Sequence, residues 1–162
     1  MVISDHCNKM GDNDVIRNLC SPWASQVVLV PKPGGKLRFC GDYRQVNAAT
    51  KKNVFPLPRV DNTLDALQGN VYFSTLDLAS GYWQIPIAKK DKGKTAFITL
   101  MGLFEFNVMP FGLTKAPAIF AQMMNAVLGG LLWVNCLVYL DNIIIFSRTW
   151  ENHFIRLDLV LN

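Results

Sequence analysis

Apolar positions along the chain fall into short runs separated by proline and glycine, so the pattern predicts many short elements. Residues 26–30 form the kind of continuous run that a buried strand carries, and Pro31-Lys32-Pro33-Gly34-Gly35 predicts a tight turn into a second strand over 36–40. Pro56 and Pro58 keep residues 53–59 extended, after which Asp61 is placed to cap a short helix that carries Leu64 and Leu67 and stops at Gly69. Residues 71–78 read as a strand ending in an aspartate, with Gly81 breaking the chain just beyond. Further strands are expected over 84–88, 94–100 and 103–108, with Asp91-Lys92-Gly93 and Met101-Gly102 as turns.

The strongest helical period covers 114–128, where Ala118, Phe120 or Ala121, Met124 and Val127 or Leu128 share a face that ends at Gly129-Gly130. Residues 136–140 and 143–147 are β-rich apolar runs separated by Asp141-Asn142, the signature of a two-residue hairpin loop. A last helix over 149–161 is capped by Thr149, with Asn152 where a capping box has Glu or Gln. Together these elements predict an α+β fold with a largely antiparallel sheet.

The 162 residues are 51% hydrophobic and 17% charged, enough to bury a core and against disorder. The longest apolar tract, 131–146, is interrupted by Asn135, Asp141 and Asn142, and the N-terminus is polar, so neither a membrane span nor a secretory leader is expected and the location reads as intracellular. Cys7, Cys20, Cys40 and Cys136 lie far apart with no metal spacing and read as buried thiols. His6 and His153 read as surface residues without a role, and Trp23, Trp83, Trp133 and Trp150 as packing residues. The net charge is +4, but between Lys32 and Arg59 seven bases stand against Asp42 alone, whereas 61–162 hold seven bases and eight acids. A polyanion would find the first third attractive.

Candidate chemistry lies at two strand ends. Asp77 closes one apolar strand and Asp141 the tip of an apolar hairpin; if those strands are neighbours, the two carboxylates converge. Such a pair suits Mg²⁺, a hard cation that takes one or two protein carboxylates and completes its shell with phosphate oxygens. With the basic flank, this points to phosphoryl transfer on nucleotides. On spacing alone, two ordinary loop aspartates account for the same pattern.

An ordered series of motifs adds to this: Ser21-Pro22-Trp23, Leu37-Arg38-Phe39-Cys40-Gly41-Asp42-Tyr43-Arg44-Gln45-Val46-Asn47, Phe73-Ser74-Thr75-Leu76-Asp77-Leu78-Ala79-Ser80-Gly81-Tyr82, Val108-Met109-Pro110-Phe111-Gly112-Leu113-Thr114 and Tyr139-Leu140-Asp141-Asn142. In order, over residues 13–162, it resembles the reverse transcriptases of retroelements, and most closely the gypsy class of LTR retrotransposon polyproteins. The resemblance implies a right-hand polymerase with fingers at about 1–51 and 85–115, palm at about 52–84 and 116–162, and no counterpart of a thumb. It implies that Asp77 and Asp141, with the Leu78 carbonyl, hold two Mg²⁺ (or Mn²⁺) ions roughly 3.5 to 4 Å apart. Lys32 and Arg38 match the basic positions that contact the triphosphate of a dNTP, Tyr82 the aromatic residue that excludes a 2′-hydroxyl, and Phe111 and Gly112 the segment along template and nucleotide. The implied partners are a primed RNA or DNA template and dNTP, with the rest of a polyprotein in relatives.

Three positions depart from the pattern. Asn142 replaces the second aspartate of Tyr-x-Asp-Asp, which removes one anionic ligand and predicts severely impaired chemistry. Lys115 stands where asparagine is usual, and Gly41 where valine is usual, a change expected to loosen its strand by about 1 kcal/mol. The resulting expectation is an RNA-directed DNA polymerase domain impaired by Asn142 and by truncation; the alternative is a catalytically silent nucleic-acid-binding remnant.

Overall fold

A computed structural model describes residues 2–31, 34–35, 37–51, 55–56 and 58–162. In chain order the elements are α1 (Val2–Asp12), β1 (Ile16–Asn18), β2 (Ser25–Pro31), β3 (Leu37–Gly41), α2 (Arg44–Ala49), α3 (Val60–Leu67), β4 (Tyr72–Asp77), α4 (Lys89–Lys92), β5 (Phe97–Thr99), β6 (Gly102–Phe106), α5 (Ala116–Val127), β7 (Cys136–Tyr139), β8 (Asn142–Ser147) and α6 (Trp150–Leu161). They divide into two compact units, Met1–Lys52 with Tyr82–Ala116, and Asn53–Gly81 with Pro117–Asn162.

The first unit is built on a five-stranded sheet of order β1-β6-β5-β2-β3, antiparallel except for the β2–β5 pair. Its core is formed by Cys7 and Met10 of α1 with Val15, Ile16, Phe97 and Phe106. Helix α1 lies outside every element the pattern predicts, because only Ile3, Cys7 and Met10 mark its apolar stripe in an otherwise polar stretch. Residues 26–30 are not a buried strand. Alternate residues of β2 are open, with Val28 and Val30 exposed, because only one face of this sheet meets the core. The strand expected over 84–88 reduces to a single bridge between Pro86 and Val108, since residues 81–84 wind into a 3₁₀ turn; Asp91-Lys92-Gly93 likewise belongs to one helical turn and its continuation. Cys20 and Trp23 are exposed, against the expectation of burial and packing, as both lie in the irregular segment between β1 and β2.

The second unit carries a three-stranded antiparallel sheet of order β4-β8-β7. Buried Phe120 and Met124 of α5, Leu128 just beyond it, and Cys136, Leu137, Ile143 and Ile145 of the hairpin supply its apolar interior. Asp61 does not cap α3: Arg59 occupies that position with extended backbone, and Asp61 falls inside the first turn, where its charge still favours the helix dipole. Helix α6 is capped as expected, the Thr149 hydroxyl accepting from the Asn152 amide. That cap sets the phase of the helix, and four residues on it turns His153 inward. His153 is therefore a buried residue, 5% exposed, with Nε2 2.8 Å from the Ser74 hydroxyl of β4.

One buried charge holds the first sheet to its edge. Glu105 on β6 is 2% exposed and faces Arg17, its register partner on β1, whose Nε donates to Oε1 at 2.6 Å. A carboxylate out of water depends on that guanidinium, so removing the cation alone costs more than removing the pair. Arg17→Met is expected to lower stability by ~3 kcal/mol, and Arg17→Met with Glu105→Leu to recover most of the loss, read from urea unfolding midpoints.

Candidate active site

The register of the second sheet places the candidate residues. Asp77, the last residue of β4, pairs with Asn142, the first of β8, and Asn142 pairs in turn with Tyr139, the last of β7. Register partners project to the same face of a sheet. Asp77, Asn142 and Tyr139 therefore stand in one exposed row at the end of three strands. The hairpin loop is Leu140-Asp141, not Asp141-Asn142, because Asn142 already belongs to the ladder. Leu140 makes the reversal in left-handed backbone at φ 53°, a conformation that a bulky side chain adopts at a cost of about 1–3 kcal/mol.

Asp141 is tied to the end of β4 through its backbone, its carbonyl accepting from the Leu78 amide at 3.1 Å. Its side chain has a different status: Oδ1 is fully buried and has no hydrogen-bond partner among the described residues. A buried, unpaired carboxylate oxygen is costly, and a cation is the partner that best relieves it. The Leu78 carbonyl accepts from the Gly81 amide at 3.2 Å and keeps one lone pair for a further contact. Gly81 makes this turn possible, since a Cβ there would come within 2.9 Å of the Phe120 ring.

By type, two carboxylates, a backbone carbonyl and the neutral amide oxygen of Asn142 are the hard oxygen donors that a divalent cation such as Mg²⁺ takes. Among the described residues, no group of three or more histidine, cysteine, aspartate or glutamate side chains could hold a metal ion. Asn142, the register partner of Asp77, brings an uncharged amide to the strand end where a carboxylate triad would need a third acid.

The other expected residues belong to the first unit. Arg38 is exposed on β3 beside its register partner Val30. Tyr82 is buried and meets Phe111 edge-on, ring centroids 5.1 Å apart. Lys32 lies outside the described residues.

Asn47, to which sequence reasoning gave no part, fixes the segment that holds Gly112. Its side-chain amide donates to the Gly112 carbonyl and its carbonyl accepts from the Thr114 amide, both at 2.8 Å. The only signal for it was its place at the end of the 37–47 motif.

Gly41 is also more than a loosened strand residue. A Cβ at this position would lie 2.7 Å from the ring of Tyr43, which is buried and donates its hydroxyl to the Thr95 carbonyl at 3.0 Å. Burial pushes the Tyr43 phenol up, so it remains a donor at every physiological pH. Gly41→Val, which installs the residue usual in the resembled family, is expected to destabilise by ~2 kcal/mol through overpacking against Tyr43, measured by thermal or urea unfolding.

Comparison with known proteins gives a consistent result. Residues 30–162 match the family model described as reverse transcriptase (RNA-dependent DNA polymerase). The chain is 41% identical over 152 residues to a retrovirus-related Pol polyprotein from the Drosophila melanogaster transposon opus, covering 91% of this chain and 15% of that protein. It is 47% identical over 127 residues to an RNA-directed DNA polymerase homolog from Oenothera berteroana, covering 76% of this chain and 89% of that one. Among solved structures, the foamy viral protease-reverse transcriptase in complex with an RNA/DNA hybrid superposes with a TM-score of 0.84 at 26% identity, over 98% of this chain and 21% of that one. The fold is that of reverse transcriptase fingers and palm. No helix among the described residues is long and apolar enough to cross a membrane.

Proposed function

We propose that this chain, which belongs to the reverse transcriptase (RNA-dependent DNA polymerase) family, is the fingers and palm of an RNA-directed DNA polymerase whose metal site is weakened by Asn142. The unit Met1–Lys52 with Tyr82–Ala116 takes the part of the fingers, and Asn53–Gly81 with Pro117–Asn162 that of the palm. The observation that carries this reading is the exposed row of Asp77, Asn142 and Tyr139 beside the buried, unpartnered Oδ1 of Asp141.

Divalent-metal dependence is general in this family. Asp77, Asp141 and the Leu78 carbonyl are the residues that would hold magnesium, two ions in the full arrangement. The metal, when bound, supplies positive charge to the phosphoryl group in transfer and lowers the pKa of the attacking hydroxyl. The chain's other groups have the part of positioning the reactants. Arg38, and Lys32 with it, pair with the triphosphate of a dNTP; a guanidinium suits phosphate because it is always charged and can donate two parallel hydrogen bonds. Tyr82, held by Phe111, excludes a 2′-hydroxyl by bulk, so deoxynucleotides are selected. Asn47 keeps the Phe111–Gly112 segment in place for the template and the incoming base. The nucleic-acid partner is a primed RNA or DNA template.

Asn142 favours a second reading, that of a chain which binds nucleic acid without extending it. An amide matches the carboxylate in shape but adds no charge where developing charge must be offset. Both readings are tested by Mg²⁺-dependent dNTP incorporation on a primed RNA template, comparing this chain with Asn142→Asp. The Asn142→Asp variant is expected to extend the primer about 10²–10³ times faster than the parent chain. Equal rates would show that two carboxylates suffice; extension by neither, with binding retained, would favour the silent nucleic-acid binder.

A further inference from the structure

The end of the second sheet remote from Asp77 carries a feature that the polymerase reading does not use. A cavity of about 390 Å³ opens there, lined among others by Arg148, Arg156, Asn70, Asn152, Asp65 and Phe146. β4 is six residues long, so this end stands about 17 Å along the strand from Asp77 and Asn142.

Neither arginine is spent on a carboxylate: among the described residues, Arg148 and Arg156 form no ion pair. Arg156 is held in place by two contacts that leave most of its donors free. One N–H goes to the Phe146 carbonyl, and the guanidinium carbon lies over the Phe146 ring, 5.4 Å from its centroid. Arg148 is exposed and makes no hydrogen bond among the described residues. Asn152 lies in the first turn of α6, whose dipole adds partial positive charge, and the side-chain amide of Asn152 can donate. Asp65 is the one acid among these six residues and opposes the two cations.

We infer that this cavity is an anion site that takes a phosphate group, gripped by the guanidinium groups of Arg148 and Arg156. Two guanidinium groups that line one cavity, neither of them paired with a carboxylate among the described residues, outnumber Asp65, and their planar forks give a phosphate charge-assisted hydrogen bonds. The volume admits a phosphoryl group with part of the molecule that carries it. The phosphate has two possible sources of one chemistry, a nucleic-acid backbone and a free phosphorylated small molecule. The inference is independent of the metal row, because a chain silent in primer extension still binds phosphate here.

The test is NMR of the arginine side-chain Nε–H resonances of the full chain, titrated with inorganic phosphate against chloride at equal ionic strength. The Arg148 and Arg156 signals are expected to shift saturably with phosphate alone. Arg148→Gln, at an exposed position whose loss leaves the core intact, is expected to weaken phosphate binding about tenfold or more, and Asp65→Asn to tighten it. A second titration uses a single-stranded DNA decamer. If Arg148→Gln weakens the decamer at these resonances as well, the ligand is a nucleic-acid backbone; if only inorganic phosphate weakens, it is a free phosphorylated molecule. Equal shifts with chloride, no effect of Arg148→Gln on phosphate, or weaker binding in Asp65→Asn would overturn the assignment.

Discussion

The site depends on the register between β4 and β8. Because Asp77 pairs with Asn142 and Asn142 with Tyr139, Asp77 joins two residues from far along the chain in one row on one face of a sheet. A slip of one residue in either pairing would turn the row to the opposite face and dissolve the site. What prevents the slip is the burial of Ile143 and Ile145 on the face of β8 opposite to Asn142, which commits that strand to one phase. The backbone bond from the Leu78 amide to the Asp141 carbonyl then ties the ends together.

The same geometry concentrates cost at the tip. Leu140 takes a backbone conformation that suits glycine or asparagine, and one oxygen of Asp141 is buried without a partner. Strained backbone and orphaned polar atoms persist where the surrounding structure over-determines them, and such places are commonly functional. In this chain the apolar hairpin below the tip does the over-determining, and the cation proposed for this site would be the partner that the Asp141 oxygen lacks. Asn142 keeps the shape of the tip while lowering its charge. The polar row and the ladder beneath it are therefore intact although the row carries one acid fewer.

Much of this was legible in the chain. The apolar, β-branched runs on both sides of the tip, and the aspartate ending 71–78, placed β4, β7 and β8 and suggested that Asp77 and Asp141 converge. Their exact loop was not legible, because nothing in an apolar pattern marks Leu140 rather than Asn142 as the reversing residue. His153 was misplaced for a related reason: its surroundings are polar in sequence, and only the phase set by the Thr149 cap turns it onto Ser74. Gly41 shows the opposite error, in which a local cost was read without the neighbour that explains it, the Tyr43 ring. Asn47 escaped notice because a side chain that bridges two backbone groups more than sixty residues away leaves no local signature.

Everything proposed for the tip rests on Asp77 and Asp141 forming a cation site that lacks one anionic ligand at Asn142. A Mn²⁺ titration followed by electron paramagnetic resonance measures this without requiring turnover. Weak, saturable binding is expected for the chain, tightened about tenfold or more in Asn142→Asp and lost in Asp141→Asn. Identical affinity in all three proteins would contradict the assignment of the site.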